Sequence, residues 1–326
     1  MNYSPAVLCV LAAAALPLAY AGDSVKDLRA DYPQRPVRIV SGFQAGGSSD
    51  FLVRVLAPRL TERLGQTFIV ENRPGAGGAI GANLVAKATP DGYTLIFISG
   101  AFTANAASVK TPYDPLKDFD WITLIVTYPF VLTVRNDTPA RGTAELIALA
   151  KKQPGKLNYG SVGVGSVFHL AAELFNAMAG VDTTHIPYKG SPDALTDMIG
   201  GRLDFMFMTL TGASPHIRAN RIRAIAICSK ERSPQMPELP PLSQVLPGYE
   251  VTSFAGMGAT GGSPKPVIAK LNRELRAVMA GNDVIRQFTE AGGDMKPGSP
   301  EEMTRHVAEE IAKWRRVVKE RNIEVK

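Results

Sequence analysis

Twice along this chain an apolar, strand-like run empties into a glycine-rich loop that opens a helix. The first copy runs from Val37, Ile39 and Val40 through Ser41-Gly42-Phe43-Gln44-Ala45-Gly46-Gly47-Ser48-Ser49-Asp50. The second is Asn158-Tyr159-Gly160-Ser161-Val162-Gly163-Val164-Gly165-Ser166, again followed by helix-like sequence. Such a device aims unpaired backbone N–H groups and the positive end of a helix dipole at one point, which suits an anion. Glycine-rich turns also occur simply to make tight geometry, so either loop alone carries both readings. Two loops that follow strands are a stronger signal, because open α/β sheets bind ligands at the carboxyl ends of their strands. Together they predict two lobes closing on one small acidic ligand.

The rest of the chain alternates in the same way. Strand-like segments at 67–70, 94–98, 157–159, 183–186, 204–207 and 223–227 are separated by helical patterns at 51–64, 79–88, 144–152, 169–178, 192–199 and 214–220. Alternation of this kind predicts α/β lobes with mainly parallel sheets. The tail is helical, at 264–280, 283–291 and 300–321. In the last of these Val307, Ile311, Trp314 and Val318 make one apolar stripe. Two apolar segments flanked by proline, Phe130–Val134 and Tyr249–Phe254, read as crossover strands. The first lobe is then discontinuous, 22–129 plus 252–326, and the second is 130–251.

Residues 1–21 stand apart. They hold no charged side chain and end in Ala19-Tyr20-Ala21, a small-x-small cleavage signal. The segment reads as a secretory leader cut after Ala21. An uncleaved anchor would need about 20 apolar residues, longer than this run. After cleavage Cys228 is the one cysteine left, so no intramolecular disulfide forms, and its apolar neighbours Ile225 and Ile227 predict a buried thiol. The formal net charge of +6 is modest and the cations are scattered. The cluster Lys313, Arg315, Arg316, Lys319 and Arg321 shares its helix with Glu309, Glu310 and Glu320, which reads as a solvated face rather than a nucleic-acid patch.

Enzyme signatures are missing. There is no G-x-S-x-G elbow, no GxxxxGK[ST] loop, no C-x-x-C and no H-E-x-x-H. The second loop fails G-x-G-x-x-G, with Phe168 where the last glycine belongs. The four histidines are dispersed, so neither a metal site nor a cofactor is expected.

Six segments in order carry a resemblance: Tyr32–Val40, Phe43–Asp50, Val70–Gly78, Leu157–Leu174, His185–Gly190 and Trp314–Lys319. Over nearly the whole chain beyond the leader, the sequence resembles the Bug (TctC-like) family of periplasmic solute receptors of tripartite tricarboxylate transport systems. The resemblance implies an α/β, two-lobed periplasmic binding protein fold with two crossover strands (type II-like), closing on a carboxylated metabolite. It implies a periplasmic receptor without catalysis, expected to act as a monomer, that delivers a mono- or dicarboxylate to membrane transporter subunits. By motif match Phe43, Gly46, Gly47, Ser48 and Asp50 fall on the first ligand loop, and Ser161, Gly163, Gly165 and Ser166 on the second. Thr103, Tyr188 and Thr209 are further candidates for the cleft wall. Asp50 would repel an anion directly, so helix capping or ordering of a water is its expected role. Asn72 is open to turn-locking or ligand contact, Arg73 to pairing with an acidic neighbour, and His169 reads as structural.

The chain departs from the family pattern at two places. Gln44 and Ala45 stand where two prolines are common, and Met208 stands where many members have Asp. Met208 weakens the case for an amino-acid ligand and permits a more apolar, even aromatic, carboxylate. Two other readings stay open: a sensor presenting its ligand to a signalling partner, and a secreted hydrolase or isomerase on an α/β scaffold.

Overall fold

The protein is seen as a computed structural model that describes residues 32–323 and, before them, only Met1. The leader and its cleavage site at Ala21 lie outside the described residues. The first half of the sheet begins with the buried strand β1 (Val37–Ser41), then α1 (Ser48–Leu64), β2 (Phe68–Asn72), α2 (Ala79–Ala86) and β3 (Thr94–Ser99). Helix α3 (Gly100–Ser108) follows β3 with no intervening loop, and leads to β4 (Phe119–Arg135). The middle of the chain holds α4 (Thr143–Lys152), β5 (Asn158–Ser161), α5 (Val167–Ala179), β6 (Thr184–Pro187), α6 (Ser191–Ile199), β7 (Phe205–Thr209), α7 (Leu210–Arg218) and β8 (Ile222–Ile227). The end comprises β9 (Thr252–Thr260), α8 (Lys265–Met279), α9 (Asn282–Glu290), β10 (Asp294–Met295) and α10 (Pro300–Glu320).

The strand order is β2-β1-β3-β9-β4-β7-β5-β6, with β8 and β10 also pairing with β4. β1 is parallel to β2 and β3, and β5 is parallel to β6 and β7. The two halves meet on β4. Its residues Phe119–Pro129 pair with β9, and Phe130–Val134 pair with β7. At the changeover the Val251 N–H donates to Cys228 O at 2.8 Å, and the Cys228 N–H to Phe130 O at 2.8 Å. Three distant segments are thereby tied at one point. Cys228 is buried there, and burial drives its thiol well above the ordinary range.

Four elements differ from the sequence expectation: β4, β9, β10 and α3. Residues 119–129 of β4 and the short β10 carry no signal that the alternation picks out. Because β4 pairs antiparallel with β7, β8, β9 and β10, and β9 with β3, the sheet is mixed rather than mainly parallel. The crossover strand expected at 249–254 is β9, which begins at Thr252 and continues through Gly256 and Gly258. A Cβ on Gly258 would meet the Trp121 ring at 2.7 Å, and one on Gly256 would meet Met303 of α10. The glycines therefore admit close neighbours rather than break the strand. Helix α3, built from small residues, carries no apolar periodicity and was not expected. On α10 the expected stripe is present: Val307, Ile311 and Trp314 are buried and Val318 is half-buried. Ser299 and Glu302 close a capping box at its start, while Arg315, Arg316, Lys319 and Arg321 are exposed.

Candidate functional site

The first glycine loop is held from below by a buried carboxylate. Asp50 accepts the Gly46 N–H at 2.9 Å, Asn72 Nδ2 at 3.0 Å and Arg54 Nε at 2.9 Å. Asn72 Nδ2 also donates to Phe43 O at 3.0 Å, which fixes the other end of the loop. Asn72 therefore locks the turn, and Arg73 pairs with Glu71. Burial pushes the Asp50 carboxyl up, but the bonds from Arg54, Gly46 and Asn72 and the Arg54 charge outweigh it, leaving it below the usual carboxylate range. Asp50 does not cap α1; it staples the loop. The residue at the cap position of α1 is Gly47, which offers no side-chain acceptor. The first-turn N–H groups of α1 are therefore free of a side-chain cap.

Three more helices begin beside this one. α3 starts after Ser99 and α6 after Gly190, neither with a side-chain cap. α7 starts after Thr209, whose Oγ1 accepts the Gly212 N–H at 3.1 Å. Ser48 and Ser49 of α1, Ser99, Ser191 and Thr209 line one cavity together with Phe43, Gln44, Gly47, Tyr128, Val162, Phe168 and Ser253. Among the described residues no Asp, Glu, Lys, Arg or His side chain lies on this wall. An anion here would be held by backbone dipoles and hydroxyls alone. Ser253 Oγ accepts the Gly100 N–H at 3.2 Å, and Tyr128 donates its hydroxyl to Phe254 O at 3.0 Å. Burial keeps the Tyr128 phenol above its ordinary range, so it stays neutral. The Ser48, Ser49, Ser99 and Ser191 hydroxyls have no partner among the described residues. The cavity measures about 20 Å³, on the order of one water molecule, too small for a metabolite unless its walls part.

The second glycine loop uses its polar groups on itself. The Gly165 N–H donates to His169 Nδ1 at 3.1 Å and the Ser166 N–H to Gly163 O at 3.2 Å. Ser166 Oγ donates to Gly163 O at 2.7 Å and caps α5 by accepting the His169 N–H. Ser161 Oγ lies 2.6 Å from His185 Nε2, and the His185 and His169 rings stack at 4.0 Å. Burial lowers His185 to about 4; burial and the neighbouring His185 lower His169 to about 3. Both rings are neutral at pH 7, and His169 is structural, as expected. Only Val162 and Phe168 from this region reach the cavity.

Of the residues expected at the site, the structure brings Phe43, Gly47, Ser48 and Thr209 together on the cavity wall. Gly46 borders a neighbouring groove with Phe51 and Gly212. Gly163 and Tyr188 face an outer groove of about 620 Å³, where Tyr188 Oη donates to Asp197 at 2.8 Å. Thr103 is fully buried and donates to Gly100 O at 3.0 Å. Asp50, Ser161, Gly165 and Ser166 support the loops from within. Met208 packs in the core with Val131, Ala194 and Ile227, so it gives no argument about ligand polarity; the apolar part of the wall is Phe43, Val162 and Phe168. Sequence reading missed Ser99 and Ser191, each a serine at a strand-to-helix or loop-to-helix junction beside a glycine. Tyr128 and Ser253 carry no local signal and are placed by the pairing of β4 with β9, whose register sets Tyr128 opposite Ser253.

Residues 52–323 match the family described as the tripartite tricarboxylate transporter family receptor. The chain belongs to this family. It is 36% identical over 311 residues to a UPF0065 protein from the tcbD-tcbE intergenic region of Pseudomonas sp. strain P51, covering 94% of this chain and 93% of that one. Among solved structures it is similar to Rpa4515 of R. palustris with adipate, at 37% identity and a TM-score of 0.86, over 90% of this chain and 99% of that one. It is also similar to MatC of Rhodopseudomonas palustris with bound malate, at 33% identity and a TM-score of 0.85, over 88% and 100%. The α/β binding-protein fold read from the sequence is the fold these structures share. The family and its structural neighbours are solute-binding receptors, not enzymes. The Ser161–His185 contact, between a buried serine and a half-buried histidine, accordingly belongs to a receptor and not to a nucleophile and its base. Among the described residues no helix is long and apolar enough to cross a membrane, and no cluster of His, Cys, Asp and Glu is arranged to hold a metal ion.

Proposed function

We propose that this protein is an extracytoplasmic receptor that captures a small mono- or dicarboxylate between its lobes and delivers it to the membrane subunits of a tripartite tricarboxylate transporter. The observation that carries the reading is the convergence of three uncapped helix N-termini, those of α1, α3 and α6, with the Thr209-capped start of α7, on one cavity without a charged side chain among the described residues. Such a cavity attracts a carboxylate, yet lets it leave, because no full opposite charge has to be broken apart. The adipate and malate held by the two R. palustris relatives support the ligand class.

In this reading the first lobe is 22–129 plus 252–326 and the second is 130–251, with the hinge where β4 passes Phe130 and the chain returns at Val251. Phe43, Gly47, Ser48 and Thr209 contact the ligand with Ser49, Ser99 and Ser191. Gly46, Asp50, Thr103, Ser161, Gly163, Gly165 and Ser166 hold the loops that present them, and Tyr188 borders the mouth. The protein works as a monomer in the periplasm after cleavage at Ala21. Native mass spectrometry of the protein purified from periplasm, followed by a thermal-shift screen of carboxylates, tests the ligand class and the monomer together. A chain beginning at Gly22 and stabilised by a carboxylate that stays chemically unchanged is the expected result. A cytoplasmic product starting at Met1, or steady conversion of the ligand, would refute the reading.

A further inference from the structure

Among the described residues Gln44 is the one on the cavity wall that reaches across the cleft with a hydrogen-bonding side chain. Its Nε2 donates to Asp193 Oδ2 in the first turn of α6 at 2.7 Å. A carboxylate only accepts hydrogen bonds, so Asp193 fixes which end of the Gln44 amide is nitrogen. The oxygen is thereby committed to the other side. Gln44 Oε1 is buried and has no partner, and it is the one side-chain carbonyl oxygen on the cavity wall among the described residues. The seat is shaped for this side chain. A Cβ on Gly190 would lie 2.8 Å from Gln44 Oε1 and 2.9 Å from Gln44 Cβ, so only glycine at 190 lets the amide lie flat against α6.

The rest of the wall offers N–H groups, which only donate, and hydroxyls, which turn to suit. A carboxylate satisfies those and has no hydrogen to donate to Gln44 Oε1. A buried carbonyl left without a donor is costly, and sites built this way discriminate strongly between ligands that do and do not supply one.

We propose that Gln44 is a specificity-determining residue that selects carboxylates bearing a hydroxyl group. Its nitrogen closes the cleft on Asp193 and its oxygen accepts the ligand's hydroxyl proton. The inference rests on the receptor reading above and narrows its substrate class from carboxylates to hydroxycarboxylates.

The test is calorimetry on matched pairs that differ by one hydroxyl: malate with succinate, 2-hydroxyglutarate with glutarate, and 3-hydroxybenzoate with benzoate. The wild-type protein should favour the hydroxylated member of the pair it binds by about tenfold or more. Gln44→Leu keeps the bulk and removes both polar ends, and should bring that preference to within about twofold. Asp193→Ala removes the bridge and leaves the Gln44 amide in place. It should weaken both members of the pair alike, by about threefold to fivefold, with the preference kept. Thermal melts of each variant check folding; position 44 is on a surface loop, and Gln44→Glu, which keeps an acceptor, provides a second folded variant that should retain part of the preference. Equal wild-type affinity within every pair, or an unchanged preference in Gln44→Leu, would overturn this inference and leave the receptor reading standing. Binding of no carboxylate at all would overturn both.

Discussion

At the start of α1 the cap position is Gly47 and the first-turn N–H groups face the cavity without a side-chain acceptor. At the start of α5 the cap position is Ser166, which accepts the His169 N–H, while the Gly165 N–H is taken by His169 Nδ1. The two glycine loops look alike in sequence, and both end a strand and open a helix. Their difference is one residue at the cap. A glycine there leaves the helix dipole exposed, whereas a serine satisfies it locally. The carboxylate that stabilises the first loop, Asp50, lies under the loop and away from the cavity. The first loop thus leaves its helix N-terminus open to the cavity, and the second holds its own shape and supplies an apolar wall.

The comparison breaks most visibly if the two helix starts are given the same charge. Gly47→Asp adds a self-capping carboxylate beside Ser191, at backbone angles of φ −84° and ψ 173° that suit any residue. Carboxylate affinity should fall by about a hundredfold, roughly 2.7 kcal/mol, while thermal stability holds or rises through the new cap. Gly165→Asp should behave differently. Gly165 has φ +75°, and its Cβ would meet Ser108 Oγ at 2.7 Å. Its cost should appear as about 1–3 kcal/mol of stability with only about a threefold loss of affinity. Calorimetry and thermal melts on the pair decide it; equal affinity losses would erase the distinction between the loops.

The loops should also part company in acid. His169 and His185 are lowered by burial to about 3 and about 4, below the about 6.5 of an unfolded histidine. The unfolded chain binds more protons in that interval, so their contribution is present above about pH 6.5 and is lost as pH falls toward 4. Asp50, held below its ordinary value, contributes above about pH 4 and loses that contribution only at lower pH. Melting temperature should therefore fall in two stages. His185→Gln should flatten the first, and Asp50→Asn the second, at a cost of about 1–2 kcal/mol at pH 7 because Arg54 is half exposed. A single transition below pH 4 in both the wild-type protein and His185→Gln would contradict the assignment of the first stage to the second loop. The smallest effect belongs to Ser166→Ala, about 1 kcal/mol of stability with affinity unchanged within twofold. A larger affinity loss measured by calorimetry would place a ligand contact on Ser166 after all.

Much of the architecture was legible because it is periodic. The alternation of strands and helices located nearly every element within a few residues, and the strand–loop–helix device pointed to the first loop. α3 escaped because Gly100, Thr103, Asn105 and Ser108 give no apolar face, and much of β9 escaped because Gly256 and Gly258 interrupt its apolar run. The site was legible only in part for a related reason. Local sequence announces a glycine loop, but not whether its N–H groups are spent, and that depends on Ser166, His169 and Asp50 side chains turning back on their own loops. Tyr128 and Ser253 become neighbours only through the pairing of β4 with β9.

The account stands most directly on which backbone N–H groups meet the ligand. Amide chemical shifts of the ¹⁵N-labelled protein, followed while the best carboxylate from the thermal-shift screen is titrated in, report this residue by residue. The Ser48, Ser49 and Ser191 amide protons should move downfield to saturation, as new hydrogen bonds to an anion form, while Gly165 and Ser166 hold their positions. Large downfield shifts at Gly165 and Ser166, with Ser48 and Ser49 unmoved, would place the carboxylate on the second loop and contradict the account.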